Sequence, residues 1–332
     1  MKDVAALAGV SVPTVSNVVN ERIREMSPET RSRVLDAVEK LHYVPNLSAR
    51  SLRSRRQRVL GFLVIDEGPK YLADPMTDQI LAGVGDVARD HDYGVLVRAS
   101  HPGPDGRTLL APLWQGRVDA ACLLLSGDAR SRWHLALTAA ERGFPVAVFE
   151  SGPDAVNSVR ADNEGGARQL VEHLVSRGHE RIAFLSTATS WPMLEERIAG
   201  YRDALESACI AYRPELVLSQ GQWTPASGAE MTKQLLQLPL PPTAIIGGND
   251  LLALGAQFAI QQSGRSVPDD IAVAGFNDFL FAAHLSPSLT TVAVDGYELG
   301  RRAAELLVGQ LASGGPPTDE RIAVELRPRL ST

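Results

Sequence analysis

The chain has 332 residues, 44% of them apolar and 22% charged, with a net charge of -6, the profile of an ordinary globular protein of two domains or of one domain with subdomains. No run of about 18 apolar residues occurs, which excludes a membrane-spanning helix. The start lacks the charged, apolar and small-residue succession of an export signal, so a cytoplasmic protein is expected. The two cysteines, Cys122 and Cys209, stand far apart in apolar surroundings and read as buried thiols of a reducing compartment. Charge is unevenly spread: residues 1–58 hold 11 of the 33 Lys/Arg but only 6 of the 39 Asp/Glu. A basic end on an acidic body is a weak pointer toward nucleic acid.

In chain order, Val4, Ala5, Leu7 and Ala8 recur at helical spacing and predict the inner face of a short first helix. Gly9 permits the positive backbone angle of a sharp reversal. Ser11 is a good N-cap, Pro13 falls in the first turn of a second helix, and Val15, Val18 and Val19 form its apolar side. Its outward residues are Val12, Pro13, Thr14, Ser16 and Asn17. A third helix is signalled by Ser27 as cap, Pro28 at the first position and Glu29 at the positive dipole end. Val34, Leu35, Val38 and Leu41 then give its apolar stripe, and Pro45 ends it. Two-turn helices are marginal alone, so the third must supply the wall that the first two lack. Such a crossed pair can lay its second helix in the major groove, whereas a small helical cap on an enzyme is the blander alternative.

The stretches "DVAALAGVSVPTVSNVVN" and "SPETRSRVLDAVEKLHYVPNLSARSL" resemble the DNA-binding segment of the LacI/GalR family of bacterial repressors. The resemblance implies that Val12, Pro13 and Asn17 read bases, with Thr14 and Ser16 near phosphates or bases beside them. "PNLSARSL" matches the family's hinge helix; Leu52 matches the leucine wedged into the minor groove, and Ala49 a neighbouring small residue. The chemistry agrees: an asparagine pairs bidentately with adenine, and valine meets a thymine methyl. A leucine between base steps kinks the duplex, and Arg50, Arg53, Arg55, Arg56 and Arg58 bring charge to phosphates. If the segment has no DNA-binding role, Leu52 reads as a core residue and the arginines as a solvated linker. Relatives usually carry several residues, including a hydroxyl cap, before the equivalent of Asp3, whereas here Met1 stands almost at once; if Met1 is the true start, the first helix is expected to fray more and to lose some phosphate contacts.

From Val59 onward, apolar runs at 59–65, 94–98, 119–125, 145–149, 181–186, 243–247 and 271–275 alternate with helical patterns such as 78–91, 163–177, 195–208 and 250–263. This alternation predicts parallel sheets covered by helices, whose ligands sit beyond the carboxyl ends of the strands. This part is similar to the family's effector domain, shaped like a periplasmic sugar-binding protein. The expected fold is therefore α/β: a small all-α helix-turn-helix domain (1–45), a hinge helix and linker (46–58), and a two-lobed domain with parallel sheets (59–332). The resemblance implies one lobe of about 59–160 and 292–320, the other of about 161–291 and 321–332.

On the same resemblance, Pro75 and Met76 of "DPMTDQILAGV" reach the cleft, without the family's usual aromatic pair. Glu150 ends a strand where aspartate is common, Arg197 matches an arginine that meets the ligand, and Trp223 an aromatic that stacks on it. Asn249 and Asn277 match polar contacts, while Trp191 and Met193 stand where some relatives bring polar groups. An aromatic face with a few oriented polar groups suits a sugar. The same residues would otherwise serve as core (Trp223), as an ion pair (Arg197), or as turn formers and caps (the asparagines).

Other signals carry little. "GVGDVA" at 83–88 fits a dinucleotide pattern but lies inside a predicted helix. His173 and His179 do not share a helix face, "ASGGPP" at 312–317 is a turn-rich connection, and no heptad tail, catalytic motif or metal motif is present. The expectation is a non-enzymatic repressor without cofactor or metal, acting as a homodimer on double-stranded operator DNA and controlled by a small-molecule effector, a carbohydrate. A cytoplasmic sugar-binding or sugar-metabolising α/β protein is the alternative, and a periplasmic-type solute binder would need an export signal.

Overall fold

The computed structural model describes residues 1–19, 26–43, 56–66, 71–101 and 108–332. It divides into two compact units, Met1–Gln57 and Arg58–Thr332.

The first unit holds α1 (Lys2–Ala8), α2 (Val12–Val19) and α3 (Pro28–Lys40). Gly9 ends α1 in the left-handed conformation, with φ 63°, and its amide returns to Ala5 and Ala6 carbonyls. That reversal favours glycine because a Cβ would be strained there. Met1 precedes α1 and supplies no side-chain cap. Ser11 accepts from the Thr14 amide at 3.2 Å, and Ser27 from the Thr30 amide at 3.3 Å. The core consists of Val4, Ala5, Ala8, Val15, Val18, Val34 and Ala37. Leu7, Leu35 and Leu41, expected inside, are exposed. On the helical wheel Leu7 and Leu35 fall roughly 100° from the centre of their buried stripes, and Leu41 lies beyond the last turn of α3.

The second unit carries two six-stranded sheets. The first has strand order β11–β5–β4–β3–β1–β2, from β1 (Val59–Ile65), β2 (Gly94–Ser100), β3 (Ala120–Leu125), β4 (Val146–Val148), β5 (Asn157–Ala161) and β11 (Asp319–Ile322), all parallel. The second has order β12–β10–β9–β8–β6–β7, from β6 (Ile182–Ser186), β7 (Val217–Ser219), β8 (Ala244–Gly247), β9 (Ala272–Asn277), β10 (Thr290–Ala293) and β12 (Glu325–Arg327). Only the β10–β12 pair is antiparallel among these. Every residue of β3, β6, β8 and β9 is buried, as expected where helices cover both faces of a parallel sheet. The chain crosses between sheets after β5, after β10 and between β11 and β12. The strand 290–293 thus lies wholly in the second sheet, although lobe one was expected to resume at 292, and residues 321–322 lie in the first sheet rather than in lobe two.

Seven long helices among the described residues pack on these sheets: α4 (Pro75–Asp90), α6 (Ala129–Glu141) beyond the single-turn α5 (Ala111–Trp114), α7 (Asn163–Ser176), α8 (Pro192–Ser207), α9 (Pro225–Leu236), α10 (Asp250–Gln262) and α11 (Gly296–Ser313). Helices α4 and α11 approach so closely that a Cβ on Gly83 would lie 2.1 Å from the Tyr297 carbonyl oxygen, and one on Gly300 1.9 Å from that of Ile80. The first glycine of "GVGDVA", Gly83, therefore serves helix packing. Cys122 is buried, but Cys209 is exposed, contrary to the expectation from its apolar neighbours; it sits just past α8 with φ 58°.

Candidate functional site

In the helical unit, α2 turns Val15 and Val18 into the core and leaves the other side outward. Val12, Pro13 and Asn17 are exposed, while Thr14 and Ser16 are half-buried at the edge of that face. Arg31, Arg33 and Lys40 add exposed positive charge on α3. The outward face of α2, short side chains in its first turn and one amide, Asn17, in its second, has the shape and chemistry for base edges. Ala49, Arg50 and Leu52, with the whole expected hinge helix 46–53, lie outside the described residues.

In the second unit, the carboxyl ends of both sheets face one cleft. From the first lobe its wall takes Asp66 after β1, Leu124 of β3, Phe149 after β4, and Asp74, Met76 and Thr77 at the start of α4. From the second it takes Asn163, Trp191, Met193, Arg197, Trp223, Asn249 and Asn277. Asp74 caps α4, accepting from the Met76 and Thr77 amides at 2.9 and 3.1 Å. Burial raises its pKa, against the pull of those two amides.

Arg197 organises the second lobe's wall. It is 3% exposed, and its guanidinium packs over the Phe276 ring with Cζ 3.7 Å from the centroid. Nε donates to Asn163 Oδ1 at 3.0 Å, Nη1 to the Gly248 carbonyl at 2.6 Å and Nη2 to Asn277 Oδ1 at 2.9 Å. Burial lowers its pKa, opposed by the Asp250, Glu196 and Asp74 carboxylates. Asn277 ends β9 with φ 111°, a conformation that costs a non-glycine residue energy; the bond to Arg197 fixes its amide. Asn249 caps α10, its Oδ1 accepting from the Leu252 amide at 3.0 Å. Asn163 also donates through Nδ2 to Glu196 Oε2 at 2.8 Å.

Of the residues singled out in the sequence, the structure thus brings Met76, Trp191, Arg197, Trp223, Asn249 and Asn277 to one cavity wall. Pro75 occupies the first position of α4 and does not line it. Glu150 does not line it either: it is buried, and its carboxylate receives Arg132 Nε at 3.1 and 3.0 Å. That partner lies on α6, a helix absent from the stretches singled out, and burial pushes the Glu150 pKa up to about 6 despite Arg132. Asn163, Asp66, Asp74 and Phe149 are additional wall residues. Asn163 follows β5, whose sequence "NSVRA" carries too few apolar residues to read as a strand. The cap Asp74 before Pro75 was the one signal available for its own position. Chemically the wall offers aromatic faces, amides and carboxylates. Among the described residues no group of three His, Cys, Asp or Glu could hold a metal.

Residues 1–46 match the model of "Bacterial regulatory proteins, lacI family", and residues 171–332 that of a periplasmic binding protein-like domain. The HTH-type transcriptional regulator CelR of Thermobifida fusca is 34% identical over 93% of this chain and 90% of its own. The HTH-type transcriptional repressor PurR of Aliivibrio fischeri is 30% identical over 100% of this chain and 96% of its own. The chain belongs to the LacI family of bacterial regulatory proteins.

Among solved structures, a lac repressor dimer bound to operator and the anti-inducer ONPF superposes with a TM-score of 0.88 at 30% identity, covering 99% of this chain and 98% of that one. A CelR–cellobiose complex gives 0.76 at 32% identity over 100% and 99%. As a LacI-family member the protein is a cytoplasmic DNA-binding transcription regulator responsive to a small molecule, not an enzyme.

Proposed function

We propose that this LacI-family chain is a sequence-specific repressor that acts as a homodimer on a near-palindromic operator, with a carbohydrate effector bound between its lobes. The observation that carries the reading is the cleft wall: Trp191 and Trp223 offer apolar faces while Asn249, Asn277, Asp66 and Asp74 offer oriented acceptors and donors around Arg197. Sugar hydroxyls both donate and accept, and sugar C–H faces lie well on indole rings, so this mixture fits a polyol. The cellobiose in the CelR complex supports the same ligand class.

The DNA-binding role falls to residues 1–45, with Val12, Pro13 and Asn17 on base edges and Thr14 and Ser16 beside them. Residues 46–58 are assigned the hinge, with Leu52 as the minor-groove wedge at the operator centre, Ala49 as its small neighbour and Arg50 as a phosphate contact. The hinge is the element through which the lobes would switch operator binding. Two-fold protein symmetry would mirror the two half-sites. The effector needs only different affinities for two lobe arrangements to set the switch.

A second reading of the ligand, a planar nitrogen heterocycle, is favoured by the aromatic share of the wall, Trp191, Trp223 and Phe149. The test is a thermal-shift and calorimetric screen of the full-length protein with cellobiose, monosaccharides, phosphosugars and purine bases. Operator affinity is followed by anisotropy on DNA from upstream of its own gene. Saturable binding of a neutral sugar that changes operator affinity supports the proposal. Binding of a purine base alone selects the heterocycle, and no preference for any promoter fragment over random duplex removes the repressor reading.

A further inference from the structure

Arg132 of α6 is 2% exposed and its guanidinium is used on two fronts. Towards its own lobe, Nε is held by both oxygens of Glu150, and Nη1 also donates to the Gly127 carbonyl. Towards the other lobe, Nη1 and Nη2 each lie 3.4 Å from one carboxylate oxygen of Glu195. Glu195 stands in the first turn of α8 with its side chain 50% exposed, and it accepts the Ser190 hydroxyl. Beside this fork the main chain bridges the lobes as well: the Gly127 amide donates to the Ser190 carbonyl at 2.9 Å.

All these cross-lobe contacts converge on residues 190–195, the segment that turns Trp191 and Met193 toward the cleft just before Arg197. We infer that Arg132, braced by Glu150, and Glu195 form an inter-lobe latch, a pair of positioning residues outside the effector pocket that sets how firmly the lobes hold together. The division of labour gives a physical reason. Glu150 compensates the buried guanidinium whether or not Glu195 is engaged, so opening strands no unpaired buried charge. A braced planar fork loses little freedom on meeting its second partner. Glu195 itself is half in solvent, so its side of the bridge is weak, screened and reversible, as a contact remade on each opening must be. The regulatory consequence rests on reading the cleft as an effector site; the latch itself does not.

The test is hydrogen–deuterium exchange of the full-length protein, resolved at the Gly127 amide, in wild type and in Glu195→Gln, Glu195→Ala and Glu195→Arg. Glu195 is half exposed on a helix, so these variants keep the fold. Gly127 exchange is expected to rise about threefold in Gln and about fivefold or less in Ala and Arg, the range of a partly exposed ion pair. Exchange across β3 should stay unchanged. Raising salt from about 0.05 M to about 1 M should speed Gly127 exchange in wild type but not in Glu195→Ala. Gly127 rates at the wild-type value in all three variants, or acceleration spread through β3, would overturn the latch. Operator anisotropy on the same proteins separately tests the repressor reading: loss of operator preference with the Gly127 effect intact leaves the latch standing.

Discussion

Val12, Pro13 and Asn17 of the helical unit are available to a partner because their own core makes no use of them; Val15 and Val18 of the same helix supply that core. In the cleft the arrangement is reversed. Arg197, Asn249 and Asn277 are buried, and each already holds part of the protein: Arg197 ties Asn163, the Gly248 carbonyl and Asn277 together, and Asn249 caps α10. A surface reader can be altered without touching stability, whereas an interior binding group is part of the fold that presents it.

Arg197→Met should test this contrast most heavily. The substitution leaves three buried acceptors without their donor, so unfolding free energy in urea should drop by about 3 kcal/mol, together with the effector response. Lysine should rescue only in part, since it lacks the planar fork. Asn17→Ala is the matched surface change: gel-shift affinity for the operator should fall by about 1–3 kcal/mol, while stability moves by less than about 0.5 kcal/mol. A large loss of stability in Asn17→Ala would erase the distinction.

Trp223 lies between these extremes, half-buried on the cleft wall. Trp223→Ala should weaken effector binding about tenfold, the order of one aromatic contact, and leave operator affinity without effector unchanged. An unaltered calorimetric isotherm would remove it from the site. The smallest expected effect is a pH dependence. Asp250, buried at the start of α10, accepts from the Phe279 amide at 2.7 Å and the Thr291 hydroxyl at 2.6 Å. Burial nevertheless pushes its pKa up from 3.8 to about 7. The folded chain holds this proton more tightly than the unfolded chain, so the contribution is full below the ordinary carboxylate value and is lost as pH rises toward 7. Between about pH 5 and about pH 6 the wild-type melting temperature should fall by about 2–4 °C relative to Asp250→Asn; parallel curves would assign the titration elsewhere.

The same contrast governs what could be read beforehand. The outward face of α2 follows from helical period and caps, because period 3.6 assigns a side to each residue of a short helix. It misplaced Leu7, Leu35 and Leu41, which lie at the edge or end of their helices, where period alone cannot say how far a neighbour reaches. The interior strands β1, β3, β6, β8 and β9 are apolar runs and were visible as such. The strands β5, β11 and β12, "NSVRA", "DERI" and "ELR", carry charged or polar residues and owe their conformation to the neighbours they pair with. Without β5, Asn163 had no strand end to stand on.

Residue order alone determined the local matters: where helices start and stop, which runs are buried, and that two architectures follow one another along the chain. These depend on caps, turn residues and periodicity, all of which act over a few positions. Tertiary structure decided the partners: that Glu150 belongs to Arg132 and not to the cleft, that Asn163 joins Arg197, and that Gly83 admits the backbone of Tyr297. Those pairs are separated by 18, 34 and more residues, and a buried polar group takes whichever complement the packing of distant segments brings within reach.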